Sequence, residues 1–161
     1  MNSLEPENVS IIIGDITKSN AKYIVQQNNC VGTKSHGLSK TLFDLYPYAN
    51  IYEERRLHGK RGIPGTIIIR GDPLHNQRYV VNMLAQYYTG TARFDNDTTE
   101  LRKQWFVKCL EELNLVVGQG ERVAFPWNIG SGLAGGQWND YQDMIFEFAR
   151  KCRGNVEIIK L

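Results

Sequence analysis

Along this chain, short apolar runs alternate with segments whose apolar residues recur every third or fourth position. Val9-Ser10-Ile11-Ile12-Ile13 is a β-branched run ended by Gly14-Asp15, which predicts a strand. Tyr23-Ile24-Val25-Gln26-Gln27 predicts a second strand, leading into a polar loop over residues 28–36. Leu38-Ser39-Lys40-Thr41-Leu42-Phe43-Asp44-Leu45 has helical spacing and stops before Pro47; a further helix is expected from about Ala49 to Leu57. Thr66-Ile67-Ile68-Ile69-Arg70, closed by Gly71-Asp72-Pro73, and Tyr79-Val80-Val81-Asn82-Met83-Leu84-Ala85 predict two more strands. Asp97-Thr98-Thr99-Glu100 marks a helix start, with a capping oxygen beside an acidic first turn. Leu101, Trp105, Cys109 and Leu113 then form its expected inward stripe. Val123-Ala124-Phe125 reads as a buried strand. The last helix is expected to be capped by Asn139 or Asp140 and to turn Tyr141, Ile145, Phe148 and Cys152 inward. Val156-Glu157-Ile158-Ile159 closes the chain as a strand.

Alternation of this kind predicts an α/β sandwich around a largely parallel sheet. Ligands in such folds sit beyond the C-terminal ends of the strands. Three loops leave strands there: Gly14-Asp15, residues 28–36 and residues 128–136.

Length and composition narrow the function classes. The chain has 161 residues, which fits a single domain over residues 1–161. A chain of this size buries roughly 70% of its unfolded surface and needs no disulfide or metal staple. A net charge of +2 gives no bulk attraction to nucleic acid. No apolar run reaches the length of a membrane span, and the polar segment Met1 to Asn8 lacks a signal-peptide core, so no membrane partner is expected. Cys30, Cys109 and Cys152 are scattered and odd in number, which points to free thiols in a reducing, cytoplasmic setting, nucleus or viral host cell included. His36, His58 and His75 have no zinc-ligand spacing, so neither metal nor cofactor is expected. Nothing demands more than a monomer.

The chemistry-bearing segments each have a structural reading as well. Asp15 can accept a hydrogen bond from an exocyclic amine, or form an Asx turn with its own backbone. Gln26-Gln27-Asn28-Asn29 crowds amides at a strand end; such amides match ribose hydroxyls, or join into a network between loops. Gly32-Thr33-Lys34-Ser35-His36-Gly37 has the G-x-x-x-x-G spacing of a P-loop, but Leu38-Ser39 replaces the Lys-Ser/Thr pair. Its N–H groups and Lys34 still suit a diphosphate at a helix start. His36 is placed to serve as a general base, or is a partly exposed loop histidine. Cys30 lies six residues before His36, a possible nucleophile–base pair without any known spacing behind it, while Cys109 and Cys152 fall on helix stripes and read as core. Gly130-Ser131-Gly132-Leu133-Ala134-Gly135-Gly136 is the strongest local signal. A glycine-rich turn between strand and helix gathers N–H groups around an anion.

Together these elements resemble a macro domain. Gly14-Asp15-Ile16-Thr17 is similar to the family's adenine-side motif, Asn29 to its distal-ribose asparagine, Ser35-His36-Gly37-Leu38-Ser39 to its first phosphate loop, and Ile129-Gly130-Ser131-Gly132-Leu133 to its second. Gly37-Leu38-Ser39-Lys40-Thr41-Leu42 with Tyr46-Pro47 resembles most the branch that processes ADP-ribose-1''-phosphate in yeast, phages and large viruses. The resemblance implies a three-layer α/β/α sandwich with a mixed sheet and an ADP-ribose pocket. Asp15 and Ile16 would hold the adenine, and Asn29 the distal ribose. Lys34, Ser35, His36, Gly37 and Leu38, facing Gly130, Ser131, Gly132, Leu133 and Ala134, would clamp the diphosphate. The implied activity is hydrolysis of an ADP-ribose derivative, as a phosphatase or by removing ADP-ribose from a target, with Asn29 and His36 as catalytic candidates.

Two departures bear on the reaction. The branch that removes ADP-ribose from glutamate or thymidine has a lysine after the central strand, where this chain has Gln86. Glutamate-specific members carry an acid in the second loop, where this chain has Ala134. Both argue against a covalent lysine. A non-catalytic reader of ADP-ribose is the competing class. A nucleic-acid module built on Arg55, Arg56, Lys60 and Arg61 beside Tyr52 is a third, disfavoured because such clusters are usually solvated helix faces. The loop over residues 87–96 is expected to border the pocket.

Overall fold

The structure is a computed structural model and describes residues 4–161; the first three residues of the polar Met1 to Asn8 segment lie outside the described residues. The strands are β1 (Val9–Ile13), β2 (Tyr23–Asn29), β3 (Ile67–Arg70), β4 (Tyr79–Gln86), β5 (Arg122–Pro126) and β6 (Asn155–Lys160). The helices are α1 (Leu38–Leu45), α2 (Ile51–His58), α3 (Thr99–Val116) and α4 (Trp138–Lys151). The six strands form one sheet in the order β1-β6-β5-β2-β4-β3.

Five strands are parallel and β3 runs antiparallel to β4. Chain length explains the exception. Only residues 71–78 join β3 to β4, too few for the helical crossover that a parallel pair needs. Every other strand pair is separated in sequence by a helix or by other strands, and all its members point the same way.

Strand alternation divides the core into two layers. Tyr23, Val25, Val81, Met83, Phe125 and Ile158 pack on one face against Phe106, Cys109 and Leu113 of α3 and Tyr141, Ile145 and Phe148 of α4. Ile24, Val80, Leu84, Ala124 and Ile159 meet α1 and α2 on the other, through Leu42, Phe43, Ile51 and Tyr52. Each such fully buried side chain contributes roughly 1.5–3 kcal/mol of transfer free energy.

Three element-level expectations are corrected. The second helix starts at Ile51, because Pro47 and Tyr48 wind a tight turn first and Asn50 caps the helix through Glu53 N–H. α4 starts at Trp138 with Gln137 at the cap position, so neither Asn139 nor Asp140 caps it. The buried positions of α3 are Arg102, Phe106, Cys109, Leu110 and Leu113; Cys109 and Leu113 belong to the expected stripe and Trp105 packs half-buried against the core, but Leu101 is not among the buried residues and Arg102 is. The helix is rotated so that Arg102 can be buried, since its charge has a partner in Asp97.

Candidate functional site

The parallel strands end on one edge of the sheet, and the loops that follow them enclose a cleft of about 540 Å³. Ile16, Trp127 and Lys160 lie at one end of it, Gly37, Leu38, Gly130 and Leu133 along its walls, and Gln26, Gln27 and Gln86 on its floor. A recess of about 100 Å³ continues past Gln27 toward Asn29, Lys34, Tyr52 and Thr89. His36, Ser39, Leu133 and Ala134 border both spaces. The size suits a nucleotide-sized ligand.

The wall after β5 is built by tight turns. Ser131 and Gly132 donate N–H bonds to the Asn128 carbonyl, and Gly136 donates to Gly130. Gly130 has φ of 78°, and a Cβ there would collide with the Tyr141 ring. Leu133 and Ala134 line the cleft, and their N–H groups take no acceptor among the described residues. Opposite them, α1 presents the unpaired first-turn N–H groups of Leu38 and Ser39, the orphan donors that every helix start carries. Residues with unpaired backbone N–H groups thus line one cleft from two loops, an arrangement suited to an anion.

A buried ion pair fixes that wall. Arg102 and Asp97 are bonded at 2.8 and 2.7 Å with side chains 3% and 0% exposed. Arg102 also donates to the carbonyls of Tyr88, Gly90 and Ala134, and Asp97 accepts from Tyr88 N–H. One guanidinium therefore ties the 87–97 loop to the glycine loop. Burial alone would raise the Asp97 carboxyl; the hydrogen bonds from Arg102 and from backbone N–H groups outweigh it and hold it below the usual carboxylate range.

The opposite loop is held only at its root. Asn29 Oδ1 accepts from Val31 and Gly32 N–H at 3.2 and 2.6 Å, and Asn29 Nδ2 donates to the Tyr52 hydroxyl at 3.0 Å. Arg55, 7% exposed, donates to the carbonyls of Gly32 and Asn29 and stacks on Tyr52. Cys30 lies beneath, fully buried, and burial pushes its thiol up to about 12 despite the Arg55 charge. A thiol so held is no nucleophile at neutral pH, so the Cys30–His36 pairing does not stand.

At the floor, the crowded amides do form a network. Gln26 donates to Asn82 at 2.8 Å, and Asn82 donates to the carbonyls of Ala49 and Ile68. Gln27 donates to Gln86 at 2.7 Å, and Gln86 donates to the Tyr88 carbonyl at 2.9 Å. The oxygens of Gln26 and Gln27 are left buried without partners.

The structure brings most of the expected site residues together. Ile16, Asn29, Lys34, His36, Gly37, Leu38, Gly130, Gly132, Leu133 and Ala134 border the cleft or its recess. Asp15, Ser35 and Ser131 do not. Asp15 accepts from Thr17 N–H and hydroxyl, the Asx turn at its own strand end, and those bonds lower its pKa. The Ser131 hydroxyl bonds to Asn128. Of the basic cluster, Arg55 is buried and Arg56 pairs with Glu53, so the four charges form no continuous surface. Reasoning from sequence missed Arg102 and Asp97, and Trp127, which lies 4.6 Å from the Lys160 ammonium at one end of the cleft. An arginine interrupting an apolar helical stripe five residues after an aspartate was the available signal for the first two.

This sheet order, with two helical layers and a cleft at the strand ends, is the macrodomain α/β/α fold. The chain is similar to the macrodomain of Thermus aquaticus DarG, with 19% identity over 95% of this chain and 97% of that one and a TM-score of 0.71. It is similar to the Oceanobacillus iheyensis macrodomain with ADP, with 20% identity over 100% of this chain and 87% of that one and a TM-score of 0.69. A protein of unknown function from Bacteroides thetaiotaomicron matches at 23% identity over 95% and 99% of the two chains, with a TM-score of 0.74. No family model and no curated protein matches the chain.

Proposed function

We propose that this protein binds ADP-ribose, free or attached to a partner, and hydrolyses an ADP-ribose derivative. The observation that carries the reading is the pair of loops that line one cleft with Leu38, Ser39, Leu133 and Ala134, residues whose backbone N–H groups have no acceptor among the described residues. A diphosphate fits between them. The adenosine then extends toward Ile16 and Trp127, and the second ribose toward Asn29 and the recess. The similar fold of the Oceanobacillus macrodomain, whose structure is with ADP, supports a ligand of that class.

For the reaction, His36 is the proton acceptor within the lining of both spaces, with Asn29 beside the recess. Water attack at the distal ribose, on a terminal phosphomonoester or on the link to a target, needs only positioning and backbone electrostatics in addition. A non-catalytic reader is the second reading. Two observations favour it: the Asn29 amide is already bonded to Val31, Gly32 and Tyr52, and Gln86 is bonded to Gln27 and Tyr88.

Calorimetric titration with ADP-ribose, against AMP and ribose 5-phosphate, tests the binding. Saturable heat with ADP-ribose, abolished by Gly132→Glu, is expected, because Gly132 borders the cleft with open space around its Cβ position. No heat at millimolar ligand removes the proposal. Turnover of ADP-ribose-1''-phosphate and of an ADP-ribosylated protein, with and without His36→Ala, then separates hydrolase from reader.

A further inference from the structure

The two edges of the sheet are finished differently. β3 forms one edge, and side chains take two of its outward backbone groups: Glu112 accepts from Ile67 N–H at 3.1 Å, and Arg70 donates to the Ile69 carbonyl at 3.3 Å. β1 forms the other edge without such cover. Gly14 N–H donates to the Lys160 carbonyl and Val156 N–H to the Asn8 carbonyl, so in the parallel register with β6 the even-numbered residues turn their backbone groups inward. The N–H and C=O groups of Ile11 and Ile13 therefore point out of the sheet, and no side chain bonds to them among the described residues. Ile11, Ile12 and Ile13 are 45%, 38% and 77% exposed. The strand from Val9 to Ile13 carries no charge, no proline and no bulge, the devices that keep an edge from pairing with another.

We propose that β1 is an interface for a second copy of this chain, paired antiparallel about a two-fold axis so that two sheets become one. This dimer stands in place of the expected monomer and does not depend on the ADP-ribose reading. A two-fold axis normal to the sheet keeps each face on its own side, so every residue meets one of the same parity. With the axis at Ile12, Ile11 lies opposite Ile13 of the second copy. Both turn their backbone groups outward, and each such pair exchanges two N–H···O bonds. The isoleucines of both copies then cover one another along the seam. Charge selects this partner and this register. Antiparallel pairing brings the end that carries Lys18 to the end of the other copy that carries Glu5 and Glu7, exposed charges without an ion pair among the described residues. Moving the axis to Ile11 would set Glu7 opposite Asp15 and would engage Val9, whose N–H is already given to Pro6. Because the strands of the two copies run in opposite directions, their clefts open at opposite edges of the joined sheet.

Sedimentation velocity across a concentration series tests the inference. A monomer–dimer equilibrium with a dissociation constant of about 1–50 μM is expected, the range of a small interface. Ile13→Lys, at the most exposed of the three positions, should weaken it at least about tenfold by placing an unpaired charge in the seam. Adding Ile11→Glu to that variant should restore the dimer to within about threefold of native, since the register sets the two positions against each other across the axis. Amide hydrogen exchange gives a readout on the native protein. The Ile11 and Ile13 amides should exchange more slowly as concentration rises, while the Ile12 amide, turned toward β6, is protected throughout. A native protein that stays monomeric at about 200 μM overturns the inference. So does a dimer that Ile13→Lys leaves intact, an assembly that grows past two copies, or exchange at Ile11 and Ile13 that ignores concentration. Failure of Ile11→Glu to rescue removes the register and the inference with it. If the double variant does not fold, the exchange of the native protein decides alone.

Discussion

The two walls of the cleft do the same work with different construction. The wall after β5 is locked three ways: by tight turns within the loop, by Gly130 against Tyr141, and by the Arg102–Asp97 pair that ties it to the 87–97 loop. The wall after β2 is fixed at its root by Asn29, Tyr52 and Arg55, while the side chains of Lys34 and His36 make no hydrogen bond to the described protein. One wall is built before any ligand arrives; the other leaves its titratable and charged groups free to meet one. Preorganised donors bind without a reorganisation cost, whereas free side chains suit proton transfer and substrate choice.

Breaking the locked wall should cost most. Arg102→Met leaves the Asp97 carboxylate buried and unpaired and should destabilise the fold by about 3–5 kcal/mol in urea unfolding at pH 7. A loss under about 1 kcal/mol, the level of an exposed pair, would remove the lock from the comparison. Asp97→Asn should cost about 3 kcal/mol at pH 7, and its deficit should depend on pH. The folded Asp97 carboxyl ionises more readily than the unfolded one, so its stabilisation is complete above the unfolded value of about 3.9 and is lost as pH falls through the lower folded value. The native and Asp97→Asn proteins should therefore converge in stability as the pH is taken below about 4, in unfolding curves measured across that range.

Gly130→Ala comes next, at about 2–3 kcal/mol, because it adds left-handed strain to a collision with Tyr141. Gly132→Ala, two residues on, should change stability by less than about 0.5 kcal/mol, since nothing lies within 4 Å of the added Cβ. Similar melting shifts for the two would show that glycine content, rather than the one steric contact, shapes the wall. On the other side, Lys34→Ala should leave unfolding within about 0.5 kcal/mol of native while weakening ADP-ribose binding most at low salt. Smallest of all, Cys30 should resist alkylation at pH 8 in the native protein and react only after urea unfolding, as read by mass spectrometry of its peptide.

Much of this architecture was legible in one dimension. Ten runs of β-branched and aromatic residues or of helical spacing, among them Val9-Ser10-Ile11-Ile12-Ile13 and the Leu38 to Leu45 helix, correspond to observed strands and helices with ends shifted by at most a few residues. Thr98 caps α3 through Leu101 N–H as its sequence context implied. Less legible was which face each helix buries. Leu101 and Trp105 are the more apolar choice, yet a charged residue, Arg102, goes inside because Asp97 and three carbonyls meet it there. Asp15 and Ser131 fit a turn as well as a binding motif, and in the fold Asp15 Oδ1 bonds to Thr17 and the Ser131 hydroxyl to Asn128.

The amino-acid sequence alone determined the order and type of the elements, the glycine loop after the fifth strand and the amide cluster at the end of the second. These depend on local periodicity and on conformations only a few residue types adopt. The direction of β3, the burial of Arg102 and the orientation of Gln26 and Gln27 were decided by the tertiary structure. Each depends on a partner far away in the chain, whether the Ala134 carbonyl for Arg102 or Asn82 and Gln86 for the two glutamines, and hydrogen bonds between distant residues leave no periodic trace in one dimension.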